Sequence, residues 1–268
     1  MVKCLNYTLS GHLLISPKDD CRAIVDAMIA TEYNEEFCVA ADFSPEFVSK
    51  LMETGFLVMS ANLAKEDDEE GPFYILLPKL HLVRSVLFFE NLHIKKSIRR
   101  LLNRYELRPD AEFDRIIDRC VEVHGGDWLT PPLVECVKKI RKSHPLTEAG
   151  NAENQGRLLP TPDPRPVSFA LYREGKLAAG EFGVVCGNVY TSYSGFYEED
   201  NAGTVQIILA ARHLQAQGFS FLDFGMPLDY KTDLGAEELE PAEFTDLFRG
   251  AMPEADKSGR AAEGSSLF

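Results

Sequence analysis

The second half of the chain alternates between apolar runs at strand period and apolar residues at helical period. Three runs separated by turn signals predict strands at 167–173, 176–186 and 188–196. Apolar residues at helical spacing then predict a helix over 202–217, followed by the short apolar strand FSFLDF and a last helix at about 241–249. This order of strands and helices predicts an α+β fold.

The first half predicts a smaller, separate unit. Helical spacing of apolar residues predicts helices over 20–31 and from Pro45 to about Gly55, and strands follow at 73–77 and 82–89. Two more helices are predicted around 110–122 and 131–141. We therefore expect a small N-terminal α/β domain over residues 1–80 and a larger domain over residues 81–250.

Two segments lack any apolar period. Residues 142–166 are rich in Pro, Gly and Asn, which predicts a flexible insert within the larger domain. Residues 251–268 are mostly small and polar, which predicts a disordered tail.

Composition narrows the class of protein. No run of about 18 apolar residues occurs, so no membrane-spanning helix is expected. The six cysteines are scattered singly and the six histidines show no metal-ligand spacing, which predicts free thiols in a reducing cytoplasm and no metal site. The net charge of −14 argues against general nucleic-acid binding.

One concentrated basic segment stands out against this acidic background. Its cations are Lys95, Lys96, Arg99, Arg100 and Arg104, and apolar residues between them fall at helical spacing. The simpler interpretation is a solvated helix face, since isolated charge runs usually are that. The alternative is a contact with an RNA backbone.

Asp223 is the most informative acid, because it ends the apolar strand FSFLDF. A carboxylate at that place can act as a general base. It can equally accept hydrogen bonds that cap the turn Pro227–Lys231. The sequence leaves both roles open.

Five segments, in order, resemble motifs of the leucyl/phenylalanyl-tRNA–protein transferase family. They are AADFSPEF (40–47), RSVL with NLHIKKSIRRLLNR (84–104), FDRIIDRC with DWLTPPLVE (113–135), LYREGKLAAGEFGVVCG (171–187) and LDFGMPLDYKTDLGAEELEPAEF (222–244). The resemblance implies a GNAT-like C-terminal domain. It also implies transfer of an amino acid of the Leu/Phe class from charged tRNA to a protein N-terminus, without a cofactor, as in the tagging of N-degrons.

The resemblance also implies roles for single residues. Asp223 matches the family's catalytic Asp, and Arg84 with the basic segment matches its tRNA-binding side. The implied substrate pocket consists of Trp128, Met59, Val137, Ser168, Tyr193, Phe196 and Gly225. For most of these the alternative is ordinary packing, and for Ser168 a simple solvent contact.

The departures from the family pattern open competing functions. Gly225 replaces the family's Gln and Tyr193 replaces its Glu, so a catalytically degenerate paralogue that binds RNA or protein is an alternative. An acyl-CoA acetyltransferase would share the fold. The acidic turn Glu198-Glu199-Asp200 before the helix argues against it, because that turn would have to hold a pyrophosphate.

Overall fold

The computed structural model describes residues 6–8, 10–64, 71–143 and 158–253. The centre of the predicted insert (144–157) and the tail beyond residue 253 lie outside these ranges. No helix within them is both long and apolar enough to cross a membrane.

Each predicted helix and strand has a counterpart, but strands at 6–7, 13–14, 57–62, 106–109 and 237–239 and the short helix at 229–233 were not predicted. The helices are α1 (Cys21–Ala30), α2 (Pro45–Glu53), α3 (Lys96–Arg99), α4 (Phe113–His124), α5 (Pro131–Ser143), α6 (Ala202–Ala216), α7 (Asp229–Asp233) and α8 (Pro241–Gly250). The strands are β1 (Asn6–Tyr7), β2 (Leu13–Leu14), β3 (Leu57–Asn62), β4 (Tyr74–Lys79), β5 (Arg84–Phe88), β6 (Glu106–Pro109), β7 (Thr161–Arg173), β8 (Lys176–Gly187), β9 (Val189–Tyr197), β10 (Phe221–Gly225) and β11 (Glu237–Leu239). Short 3-10 turns cover Phe89–Asn91 and Leu102–Arg104.

A seven-stranded sheet of order β11-β5-β10-β9-β8-β7-β6 forms the centre of the larger unit. Strands β9 and β10 run parallel, and the other neighbouring pairs of this sheet are antiparallel. The parallel pair requires a crossover, which α6 supplies between the two strands. The chain therefore has the predicted α+β fold.

The two faces of this sheet are both apolar and are covered by different helices. Along β7, Ala170 and Tyr172 belong to the cluster that packs with α4 and α5, whereas Phe169 lies in the cluster that packs with α6. Successive strand residues point to opposite faces, so a strand buried on both sides reads as a continuous apolar run.

The N-terminal elements form their own small sheets, β1-β2 and β3-β4. Their apolar side chains nevertheless share a core with the larger unit, because Phe47 and Leu51 of α2 lie in one cluster with Leu133 and Val137 of α5. The boundary near residue 80 stays a prediction: the sheets are separate there, but the core is continuous.

The ends of the predicted flexible insert are ordered, which corrects the prediction for 142–143 and 158–166. Helix α5 continues to Ser143, Leu158 is fully buried and β7 begins at Thr161. The prolines of this part of β7 had argued for a loop. They are tolerated because β6 pairs only with Phe169–Tyr172, which leaves the earlier part of β7 as an edge.

The basic segment is a broken helix rather than the continuous one that its spacing predicts. Only Lys96–Arg99 is α-helical, and a 3-10 turn follows. The backbone N–H groups of Leu101 and Arg104 bond three residues back, which tightens the chain before it enters β6. Ile98 and Leu102 are still buried, as the spacing predicted.

Candidate functional site

Asp223 lies in the centre of the sheet, on β10 between β5 and β9, and is fully buried. Arg84 of β5 donates two hydrogen bonds to it, from Nε to Oδ1 at 2.8 Å and from Nη2 to Oδ2 at 2.6 Å. Thr191 Oγ1 donates to Oδ2 and the backbone N–H of Gly225 donates to Oδ1, each at 2.9 Å. Such a bidentate guanidinium–carboxylate pair is the strong geometry for this contact.

Arg84 is held from two further sides. Its Nη1 donates to Nδ1 of His81 at 3.0 Å, and its guanidinium lies 4.4 Å from the ring centre of Phe244. Burial, and then the charge of Arg84, lower the pKa of His81 to about 2. His81 is therefore neutral at physiological pH and free to accept this bond.

In this arrangement the acceptor sites of the Asp223 carboxylate are all occupied by protein donors. Each of its two oxygens accepts two hydrogen bonds, and a carboxylate offers about four acceptor sites. A base must accept a proton from substrate, so the geometry favours a structural role. It is not the predicted cap of the turn Pro227–Lys231 either, because its four hydrogen bonds come from Arg84, Thr191 and Gly225. The catalytic role of Asp223 stays a prediction.

The structure does not support the predicted contact of Arg84 with tRNA. Its side chain is only 1% exposed, and it is engaged by Asp223 and His81. The residue matched the family's basic positions in the sequence. Its burial comes from the apolar strand β5 that carries it.

The predicted pocket residues separate into several places. Ser168 is buried and donates to the carbonyl of Ala111, and Val137 lies in the α5 core. Trp128 and Met59 are partly buried close to each other, since the N–H of Ser60 donates to the carbonyl of Trp128. These four residues show packing and hydrogen-bonding roles, and their predicted part in a substrate pocket is untested.

Tyr193 and Gly225 lie on the Asp223 side of the sheet. The Tyr193 hydroxyl accepts the N–H of Val58 at 3.2 Å and so ties β9 to β3. Gly225 has φ +69°, and a Cβ there would lie 3.1 Å from Leu57. The two positions that depart from the family pattern therefore help to seal this face.

Phe196 lies elsewhere, in the wall of a cavity of about 720 Å³. The pairing of β9 with β10 ends at Thr191 and Asp223, and β9 then continues to Tyr197 while β10 stops. The cavity occupies the gap between the diverging ends. It is lined by residues from β8, β9, α6 and the β10–α7 segment: Glu181, Ser192, Phe196, Thr204, Gln206, Ile207, Phe224, Leu228 and Tyr230 among them.

Glu181 is the buried acid of this cavity, and the sequence analysis missed it. It is 4% exposed and accepts a hydrogen bond from Tyr190 Oη at 3.0 Å. Burial raises the pKa of its carboxyl, against the lowering influence of Gln206, Ser192 and Tyr190. A single acid inside the apolar run AAGEFGVVC was the available signal.

The basic segment Lys95–Arg104 adjoins the cavity through α6. Its buried Ile98 and Leu102 belong to the apolar cluster of Val205 and Ile208 on that helix, and residues of the same helix line the cavity. Four of its cations are exposed, and in the described ranges none of the four has a carboxylate within 4 Å: Lys96, Arg99, Arg100 and Arg104. Lys95 pairs with Asp233 at 2.6 Å.

No group of three His, Cys, Asp or Glu side chains that would hold a metal ion occurs in the described residues. The turn before α6 carries Glu198, Glu199 and Asp200, as the sequence shows, and Asn201 at the helix start has φ 67° without a side-chain cap. An acidic turn repels a pyrophosphate group, which agrees with the case against acyl-CoA.

The neutral state of His81 makes stability depend on pH. The folded pKa of about 2 lies below the ordinary 6.5, so between these values the unfolded chain binds the extra proton. Stability is then complete above pH 6.5 and falls as the pH drops, by up to about 1.4 kcal/mol per pH unit. The free energy of unfolding, measured in urea at pH 6.5 and pH 5, should fall less over this interval in His81→Gln than in the wild type. An equal fall in His81→Gln and wild type, or an equally reduced fall in the exposed-site control His93→Gln, would show that His81 is not the group responsible.

Because the Arg84–Asp223 pair is buried, replacing one of its two partners should strongly reduce the stability of the protein. Asp223→Ala leaves a buried guanidinium without its partner and should lower the free energy of unfolding by about 3–5 kcal/mol in urea. The control Asp233→Ala removes an exposed pair with Lys95 and should cost less than about 1 kcal/mol. Equal losses in the two variants would show that the buried pair is not a structural tie.

Comparisons with known proteins show which family this chain resembles. The family model described as leucyl/phenylalanyl-tRNA protein transferase matches residues 86–249. A leucyl/phenylalanyl-tRNA–protein transferase of Pseudomonas putida is 29% identical over 168 residues, 61% of this chain and 66% of its own length. One from Maridesulfovibrio salexigens is 27% identical over 222 residues, 80% of each chain. The first of these matches thus covers just under two thirds of the relative.

Solved structures show only distant likeness. A GCN5-related N-acetyltransferase from Kribbella flavida aligns with TM-score 0.32 and 10% identity, covering 84% of this chain and 73% of that one. The L-PGS structure from Bacillus licheniformis aligns with TM-score 0.33 and 11% identity, covering 84% and 69%. Since both scores are below 0.5, the fold class rests on the sheet topology of this chain itself. The family model covers more than half of the 268 residues, and the chain therefore belongs to the leucyl/phenylalanyl-tRNA protein transferase family.

Proposed function

We propose that this protein transfers an amino acid of the Leu/Phe class from aminoacyl-tRNA to the N-terminal amine of an acceptor protein. The observation that carries the proposal is the shared wall between the cavity and the basic segment. Helix α6 lines the cavity on one side and packs against Ile98 and Leu102 on the other. Exposed cations beside an apolar cavity suit a charged RNA whose acyl end is apolar.

The walls of the cavity fit a hydrophobic side chain. Phe196, Phe224 and Tyr230 contribute aromatic surface, and Ile207 and Leu228 contribute aliphatic surface. A volume of about 720 Å³ lies within the roughly 300–1,000 Å³ range of small-molecule sites. It has room for an aminoacyl group of the Leu/Phe size together with part of the terminal nucleoside.

The reaction is aminolysis of an ester and needs no cofactor. The acceptor nitrogen attacks the carbonyl carbon, a C–N bond forms and the bond from that carbon to the ribose oxygen breaks. One proton leaves the amine and one reaches the ribose oxygen. If Asp223 were the base, it would first have to release a bond to Arg84, Thr191 or Gly225.

The cellular setting follows from the same proposal. Charged tRNA and the acceptor would meet in the cytoplasm, where the added residue would act as an N-degron for protein degradation. The five cysteines of the described ranges, Cys21, Cys38, Cys120, Cys136 and Cys186, are buried free thiols, which suits a reducing compartment.

The closed geometry of Asp223 favours one second candidate. A chain that kept the fold and the basic segment but lost catalysis would bind RNA or protein without transfer. Gly225 and Tyr193, which stand in place of the family's Gln and Glu, both help to seal the Asp223 face rather than to open it.

Transfer of labelled Leu or Phe from charged tRNA to peptides with varied N-terminal residues separates the two candidates. We expect turnover by the wild type, and about tenfold less after Leu228→Trp, because the indole would fill the cavity. The control Leu63→Trp changes a comparably exposed leucine outside the cavity and should keep the wild-type rate. Absence of turnover with every charged tRNA and peptide would contradict transfer and support the binding-only candidate.

The basic segment predicts a salt-dependent tRNA affinity. Replacing its four unpaired cations with Gln (Lys96, Arg99, Arg100 and Arg104) should reduce the slope of log K against log salt by about three to four. A control that replaces four exposed cations elsewhere with Gln (Lys18, Arg22, Lys142 and Arg212) should leave the slope within about one of wild type. Equal losses of slope would show that the binding is nonspecific.

A further inference from the structure

We propose that Glu181 binds the free α-ammonium group of the aminoacyl end, and that the aromatic walls of the same cavity hold its side chain. This inference rests on the proposed function and names the part of the substrate that the cavity recognises. It assigns a substrate contact to an acid that lies on the opposite face of the sheet from Asp223.

The placement of Glu181 on that opposite face follows from the strand register. Asp223 pairs with Thr191, and Thr191 pairs with Val184, whose side chain packs in the cluster on the α4 and α5 side. A bulge at Phe182 and Gly183 follows, and Glu181 then faces Tyr190 and the cavity lined by α6. The two buried acids are therefore reached from different sides of the sheet.

The charge of Glu181 lacks a direct counterion. In the described ranges no Lys, Arg or His nitrogen lies within 4 Å of its carboxylate. The charge of Lys231 acts on it at longer range, but the ammonium of Lys231 donates to the carbonyls of Phe224 and Met226 at 2.7 and 2.6 Å. A buried carboxylate without a paired cation is unfavourable, and an ammonium ligand in the adjoining cavity would supply the missing charge.

Gln206 lies on α6 at 2% exposure and lines the cavity beside Glu181. Its side chain, together with Ser192 and Tyr190, hydrogen-bonds the Glu181 carboxylate. These contacts hold the carboxylate at the cavity wall, where it can accept a hydrogen bond from an ammonium group.

The apolar walls restrict the rest of the ligand. Phe196, Phe224 and Tyr230 line the same cavity, and Tyr230 is 47% exposed at its mouth. Aromatic side chains bind an apolar side chain by burying its surface, and their ring faces also attract a nearby cation. The combination of one carboxylate with aromatic walls is the recognition chemistry of a hydrophobic amino acid with a free amine.

Calorimetry with small aminoacyl analogues tests this directly. Phenylalaninamide carries the ammonium, the carbonyl and the aromatic ring, whereas N-acetylphenylalaninamide lacks the charge. We expect wild type to bind phenylalaninamide at least tenfold more tightly than the acetylated form. We also expect Glu181→Gln to lose at least tenfold for phenylalaninamide only. The control Glu90→Gln removes one exposed negative charge outside the cavity lining and should change the affinity less than twofold.

Several outcomes would overturn the inference. Equal binding of the two amides by wild type would do so without any variant, and so would unchanged binding by a folded Glu181→Gln. Lysinamide and Nα-acetyllysinamide test whether a side-chain ammonium is recognised instead, and equal, Glu181-dependent binding of these two would exclude the α-amino assignment.

The result is separable from that of the transfer assay. If the binding pattern holds but no charged tRNA supports transfer, the proposed function fails and the assignment of Glu181 stands. If transfer occurs while the amides are not distinguished, the proposed function stands and Glu181 has another role.

Discussion

The buried ion pair between Arg84 and Asp223 is the contact on which the arrangement of the sheet depends. It joins β5 to β10, and Thr191 extends the same network to β9, so three neighbouring strands share one charged centre. A buried pair is favourable only when the remaining donors and acceptors are also satisfied. Gly225, His81 and the ring of Phe244 supply those contacts here.

Satisfying that pair has a consequence for function, because it closes the face of the sheet that the family motifs mark as catalytic. The neutral phenol of Tyr193 bonds to the backbone of β3, and the absence of a side chain at Gly225 leaves room for Leu57. The opposite face of the sheet has an open cavity and a buried carboxylate without a direct counterion at Glu181. Helix α6 lines this cavity and also packs against the basic segment with its exposed cations.

Much of the fold was predictable, because local pattern and tertiary packing agree along most of the chain. The strands around 176–196 and helix α6 appear where their apolar spacing places them. The start of β7 was missed because its prolines resemble a loop, and only the pairing of β6 shows that they lie on an edge. The basic segment was predicted as one helix, because the spacing of its apolar residues does not show that the chain tightens into a 3-10 turn before β6.

The site was less predictable, because its contacts join residues far apart in sequence. Asp223 was expected at a strand end, but its partner lies 139 residues away, and no spacing rule connects them. Arg84 was assigned to tRNA by the resemblance of its segment to the family, although the apolar run that carries it favoured burial. Glu181 did have a local signal, since one acid stood in an otherwise apolar strand, and that signal was overlooked.

Amide chemical-shift mapping by NMR, with phenylalaninamide added to the wild-type protein, tests the central claim most directly. Ligand is expected to bind at the cavity between the diverging ends of β9 and β10, while the Arg84–Asp223 pair stays closed. The largest shifts should then occur at cavity residues such as Ser192, Gly195 and Gln206. The largest shifts at His81, Thr191 and Gly225, with the cavity unchanged, would contradict it.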